Sequence, residues 1–444
     1  MTRWERSIAT ALFLTFACGS RSGPFELGVS GSDAAVGGAS GFGGLGAVGG
    51  FSGTPASGGV GAIGGSAGAG GADDCNVLLQ IAPIVSVGEP GSTFDSSPQL
   101  TFSNNDDDQV TVVARRTPGA APPVLRHATF HPWPQWPPVG LTSQTTSTLQ
   151  ALGLSQEFRI SASTPNTFGL LAVDLTGLRI LPTVSATQSA AGPSGIVLGK
   201  TPVFLTEGAA GLHLLGTLSE QNELYAQIVE SAVEQPTIST VGCADSRIYA
   251  GAVRFGGSWL IAYSNGEHAP PAVCGSPSGV GEPTRIDVIH ITAGHAVLFL
   301  GTLQLKKQVT ALAVAPHPGG VYVVWREASG ADPIRWTRFD ATKSAFVATG
   351  EVSGPGEQPL EFSAAALGDK LVVAYGTGTA GSPSAIVLKV QDPLGNVLAQ
   401  TAINPSFVGR PELIASSSHR SLLVGFREGG SKSSIDLARF DCAP

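Results

Sequence analysis

The chain has 444 residues, and only 13% of them are charged, against 59 glycines and 31 prolines, so turns and linkers take a large share of it. The formal net charge of −8 leaves no basic stripe for a phosphate backbone, which excludes nucleic acid as a partner. The length allows two or three ordinary domains or one large repeat domain, and a single methionine, Met1, leaves the core to Val, Leu, Ile and Ala, a composition that suits strands.

Arg3 and Arg6 precede an apolar run from Ile8 to Ala17 that is too short to span a bilayer as a helix. A basic start, a short apolar centre and a small residue at its end describe a secretory signal peptide over residues 1–17. The stretch Thr15-Phe16-Ala17-Cys18 resembles the lipobox of bacterial lipoproteins. That resemblance implies cleavage before Cys18, acylation of its thiol and new amino terminus, and a membrane partner reached through the lipid. It places the chain in the bacterial cell envelope as an outer-membrane lipoprotein facing periplasm or exterior. Several acyl chains anchor stably where one does not.

Residues 18–73 supply the tether. From Gly19 to Ala72 the chain is nearly all Gly, Ser and Ala, too poor in apolar surface to offset its ordering entropy. As a flexible coil it reaches roughly 40 Å root-mean-square. Gly41-Phe42-Gly43-Gly44-Leu45-Gly46 and Gly64-Gly65-Ser66-Ala67-Gly68 fit a dinucleotide loop and a hydrolase elbow on paper. Both motifs need a strand before and a helix after, which this tract does not offer.

From Asp74 to Pro444 the texture changes to short apolar runs cut by Gly, Pro, Asn and Asp, which reads as an all-β domain. The segments beginning at Gly319, Gly368 and His419 share one order: an apolar strand, a turn, then an alternating strand ending near an Asp. The first two continue into a further strand. Each is preceded by another, at Thr310–Ala315, Leu360–Ala366 and Glu412–Ala415. Weaker copies have central strands at Val110–Arg115, Gly169–Asp174, Leu212–Gly216 and Trp259–Ser264. Four strands per unit at a period of roughly 50 residues resembles a β-propeller of about seven four-stranded blades. Six or eight blades also fit the length, and a pair of β-sandwiches is the competing architecture.

The final unit stops one strand short after Ile435–Phe440, while Asn76–Val87 precedes the first unit with nothing to pair with. A propeller closed by that N-terminal strand leaves no open blade. Antiparallel pairing then brings Cys75 beside Cys442, where an oxidising compartment bonds them. With Cys18 taken by lipid, Cys243 and Cys274 form a second pair across the Trp259 strand, although other pairings and a metal role stay open from sequence.

The eight histidines are scattered, His127 and His131 lack the Glu of a zinc protease, and His290 and His295 flank a glycine turn, so no metal or other cofactor is expected. Asn104-Asn105-Asp106-Asp107-Asp108 lacks the spacing of a calcium loop. Two features point to binding. The proline-stiffened loop at His131–Gly140 carries Trp133 and Trp136, whose faces suit a sugar ring or a partner's side chain, or else fold back over a blade. Arg115-Arg116, Arg326-Glu327 and Arg427-Glu428 recur at matching strand ends, where they converge on one face to hold an anion or link neighbouring blades. The reading is a surface-anchored, non-enzymatic recognition module for a carbohydrate or an envelope protein. The alternatives are a polysaccharide hydrolase or lyase using carboxylates such as Glu267, Glu327 or Glu428, and a structural envelope component.

Overall fold

A computed structural model describes the chain from Cys75 to Ala443, apart from residues 88–92, 103–108, 118–123, 134, 139–146, 150–156, 163–166, 175–176, 186–194, 197–198, 208–211, 220–222, 230–236, 244–247, 266–283, 295, 329–331, 355, 380–381 and 430–433. The expected lipidation at Cys18, the tether, the partner Cys274 of the second disulfide, Glu267, His295 and the Asn104–Asp108 run therefore lie outside the described residues.

The described strands form seven antiparallel sheets of four. Blade one holds β2 (Gln99–Phe102), β3 (Val110–Arg116), β4 (Val124–Phe130) and β5 (Ser147–Leu149), and blade two β6 (Arg159–Ala162), β7 (Thr167–Asp174), β8 (Gly177–Ser185) and β9 (Gly195–Ile196). Blade three holds β10 (Thr201–Glu207), β11 (His213–Leu218), β12 (Glu223–Val229) and β13 (Thr237–Cys243). Blade four holds β14 (Ala250–Phe255), β15 (Ser258–Asn265), β16 (Arg285–Ile291) and β17 (Val297–Gln304), and blade five β18 (Val309–His317), β19 (Gly320–Glu327), β20 (Arg335–Asp340) and β21 (Ala345–Glu351). Blade six holds β22 (Pro359–Leu367), β23 (Lys370–Thr379), β24 (Ser382–Gln391) and β25 (Val397–Ile403). Blade seven takes β26 (Phe407–Ser416), β27 (Ser421–Glu428) and β28 (Ile435–Ala443) from the end of the chain and β1 (Val77–Val87) from its start.

The first strand of each blade touches the first strand of the next, from β2 through β6, β10, β14, β18 and β22 to β26, and β26 touches β2 again. The ring is closed. This is a seven-bladed β-propeller, and the pair of sandwiches is set aside. No helix among the described residues is long and apolar enough to cross a membrane.

The core explains why the central strands read as unbroken apolar runs. Buried apolar side chains fall into seven clusters, each spanning two consecutive blades. Each sheet is thus covered on both faces, so β11, β19 and β27 bury nearly every residue instead of alternating. Glycine is required where neighbouring strands of one blade leave no room for a Cβ. A Cβ on Gly216 would meet the Phe204 ring at 2.2 Å, and one on Gly320 would meet the Phe339 carbonyl oxygen at 2.0 Å.

Closure follows the expected logic. β1 pairs antiparallel with β28 from Val77 opposite Ala443 to Val87 opposite Ile435, and Cys75 is bonded to Cys442 across 367 residues of sequence. The Trp loop reinforces the same joint. Trp133 is buried, stacks on the His419 ring at 5.5 Å and lies under the Arg439 guanidinium, which donates to the Pro132 carbonyl oxygen at 2.9 Å. Trp136 is half-buried and donates its indole N–H to the Pro83 carbonyl oxygen of β1 at 2.6 Å. The stiff loop therefore turns both rings onto the seam between the first and last blades, not outward from a free face.

Candidate functional site

In every blade the antiparallel order brings the start of the first strand, the end of the second, the start of the third and the end of the fourth to one face. Blade five shows this in its register: Val309 lies opposite Glu327, Trp325 opposite Arg335, and Arg335 opposite Glu351. The repeated charges all sit on this face, but they meet different partners. Arg326 donates to the carbonyl oxygens of Pro359 and Leu360 in blade six, at 3.0 and 2.8 Å. Arg427 donates to the Phe94 carbonyl oxygen ahead of blade one. Arg115 holds Asp95 with two parallel bonds of 2.9 and 2.7 Å, while Arg116 is half-buried opposite Val124. Glu428 accepts from Ser434 and closes its own turn. Arg326 and Arg427 are thus drawn into blade joints, where carbonyl oxygens at or just ahead of the start of the next blade's first strand lie within reach of a guanidinium, while Arg115 pairs within its own blade.

Glu327 differs from the others. It lies in a cleft of about 420 Å³ at the joint between blades four and five, within the range of small-molecule sites (~300–1,000 Å³). One wall is the end of β17 and the connection Leu305–Lys307; the other is Trp325, Glu327, Arg335 and Glu351, with Asp332 at the mouth. Trp325, only 4% exposed, and the partly buried Leu303 and Leu305 belong to the apolar cluster between these blades, so the cleft reaches the edge of a packed core. Trp325 donates its indole N–H to Glu327 Oε1 at 3.3 Å. The Arg335 guanidinium stands 3.9 Å from Glu327 and 3.3 Å from Glu351. At the rim Lys307 bonds both oxygens of Asp332, at 2.9 and 2.8 Å.

Sequence reasoning reached Glu327 through the charge repeat but not Trp325, Arg335 or Glu351. The signal was the hairpin itself: Trp325 and Arg335 frame the turn between β19 and β20, and become cross-strand partners only once the register is known.

The remaining polar groups are structural in their contacts. Glu357 shows the pattern best. Burial alone would raise its carboxyl, yet the Tyr375 hydroxyl, the Gly354 N–H and Lys389 outweigh burial and hold it below the usual range. In blade four the buried Asp287 takes bonds from Asn265 and Thr302 beside Arg285. At the far end of blade three, burial pushes the Glu207 carboxyl up to about 7, against the pull of Arg254. His127 is buried against Phe168, whereas His131 is exposed near Gln109. Among the described residues no group of three or more His, Cys, Asp or Glu side chains could hold a metal ion.

No family model matches the sequence, and no curated protein matches it. Solved structures do share its architecture. The WD40 domain of Toxoplasma gondii coronin superposes with a TM-score of 0.50 at 10% identity, covering 83% of this chain and 87% of that one. That likeness is one of fold. AofleA from Arthrobotrys oligospora gives a TM-score of 0.45 at 10% identity over 74% of this chain and 90% of that one. The SapL1 lectin, solved with alpha methyl fucoside, gives 0.42 at 14% identity over 64% and 93%. At these scores and identities neither adds to the fold assignment.

Proposed function

We propose that the chain is a non-enzymatic recognition module of the cell envelope that binds a carbohydrate in the cleft between blades four and five. The observation that carries this reading is the meeting of three groups in one cleft of about 420 Å³: the Trp325 edge of the core, the Glu327 carboxylate and the Arg335 guanidinium. A sugar presents an apolar C–H face and a polar rim of hydroxyls, each both donor and acceptor, and so needs that mixture. The lipid on Cys18 and the Gly-rich tether complete the proposal, holding the propeller away from the bilayer with freedom to find its ligand.

The test is isothermal titration of the chain with a panel of oligosaccharides, each recovered afterwards and checked for cleavage. Saturable binding that is lost in Arg335→Ala, with intact ligand, is the expected result. Cleaved ligand would transfer the reading to a hydrolase or lyase. If no carbohydrate binds, the proposal fails.

A further inference from the structure

We infer that the cleft selects neutral sugars, gripping a pair of adjacent hydroxyls between Glu327 and Arg335 and rejecting uronic acids and sulfated sugars. This rests on the carbohydrate reading above and narrows it to a ligand class. The Glu327 side chain is only 11% exposed. Its Oε1 accepts from Trp325, while no hydrogen bond from the described residues reaches Oε2. A nearly buried carboxylate with an unfilled oxygen calls for an O–H or N–H donor. Arg335 is its complement. Its Nε is buried without a hydrogen bond, and its contacts to Glu327 and Glu351 are ion-pair distances of 3.9 and 3.3 Å. The cleft thus places a carboxylate oxygen open to a donor beside the outer N–H groups of a guanidinium whose side chain is 42% exposed, while the buried Nε faces Glu327.

A hydroxyl satisfies both at once, and two neighbouring hydroxyls can bridge the pair in the plane of the guanidinium. An anionic substituent cannot. It would bring negative charge against Glu327 and Glu351 together. Lys307 is already committed to Asp332 and Arg335 stands between Glu327 and Glu351, which leaves the exposed Lys306 as the one lysine of the lining to set against two carboxylates.

Sibling blades sharpen the contrast. The sixth residue of β15, β19, β23 and β27 is aromatic each time: Tyr263, Trp325, Tyr375 and Phe426. Next to Tyr375 the loop carboxylate Glu357 takes the Tyr375 hydroxyl and Lys389, so that joint is satisfied from within. Opposite Tyr263 the register places Asp287, already bonded to Asn265 and Thr302. At Trp325 the connection Leu305–Lys307 contributes lysines and no carboxylate, and Glu327 keeps one oxygen without a hydrogen bond from the described residues.

The test is isothermal titration of the full chain with the methyl glycosides of galactose, mannose, glucose and fucose, set against galacturonic acid, glucuronic acid, galactose 6-sulfate and glycine. At least one neutral glycoside is expected to bind at least tenfold more tightly than its acidic counterpart. Glu327→Gln should weaken the neutral sugar tenfold or more and narrow the gap to the acid, a change of selectivity that a purely structural role would not produce. If Glu327→Gln lowers the melting temperature, Glu351→Gln at the 55% exposed rim carries the test and should narrow the same gap. An acid or sulfate that binds more tightly than its neutral parent overturns this inference and leaves the carbohydrate reading intact. If glycine binds and no sugar does, or if nothing binds, the carbohydrate reading falls with it.

Discussion

Removing the bond between Cys75 and Cys442 should loosen the whole propeller and not only its seam. The bond spans 367 residues, almost the entire domain, so the unfolded chain gains nearly its full conformational freedom when the link is cut. Loop-closure entropy for that span is worth about 6 kcal/mol, while measured disulfides more often return about 2–5 kcal/mol, which makes about 4 kcal/mol a reasonable expectation. At an unfolding entropy of about 2.1 cal/mol/K per residue over roughly 370 residues, that loss lowers the melting temperature by about 5 °C. The assay is differential scanning calorimetry of the native chain and of the Cys75→Ser/Cys442→Ser double variant, each with and without reductant. The native chain in reductant should melt at or below the double variant, and any further drop of the double variant in reductant reports the second bond expected between Cys243 and Cys274. A double variant that melts within 1 °C of the native chain would show that the β1–β28 ladder closes the ring unaided, and would refute this reasoning.

Four further expectations follow from individual contacts. Trp133→Ala removes a buried indole packed between His419 and Arg439 and should cost about 3–5 kcal/mol in denaturant unfolding; a loss below 1 kcal/mol would mean that the loop does not brace the seam. Glu207 has its folded carboxyl raised to about 7, so the folded state holds a proton that the unfolded chain releases between the ordinary glutamate range and pH 7, and stability falls as pH rises through that window, by about 3 kcal/mol at most. Glu207→Gln should flatten this slope and raise stability at pH 8, and an unchanged pH profile would contradict the assignment. Glu357 is the opposite case: its lowered carboxyl contributes stability above the ordinary glutamate range that is lost as pH falls through its folded value, and Glu357→Gln, which strips the buried Lys389 of its counter-charge, should cost about 3 kcal/mol at pH 7. Cys18→Ser should move the chain from the membrane to the soluble fraction; retention at the membrane would remove the lipid anchor from the account.

Much of the architecture was legible because a propeller writes its period into the chain. β19, β23 and β27 announced themselves as apolar runs, since sheets covered on both faces leave no polar alternation to blur them. The closing strand was legible by counting: a last blade one strand short and an unpaired strand before the first blade have few other ways to be satisfied. The upstream blades were fainter for a physical reason. Outer strands such as β5, with three residues, and β9, with two, carry too little pattern to stand out from their turns.

The site was harder to read because it depends on partners distant in sequence. Trp325 looks like one more core residue in an apolar strand, and only the cleft beside it sets it apart from Tyr375. The arginines of the charge repeat could not reveal their fate from sequence, since the carbonyl oxygens that receive Arg326 belong to the following blade. The Trp loop had the residue types of a binding loop, but its indoles met a seam made by the two ends of the chain, a surface that exists only after closure.

The proposed ligand enters the joint between blades four and five. The most direct measurement is a crystal structure of the chain with the best-binding neutral glycoside. Electron density is expected against Trp325, with adjacent hydroxyls bonded to Glu327 and Arg335. Density seated only elsewhere, whether around the central channel or against the Trp133 loop, would contradict it.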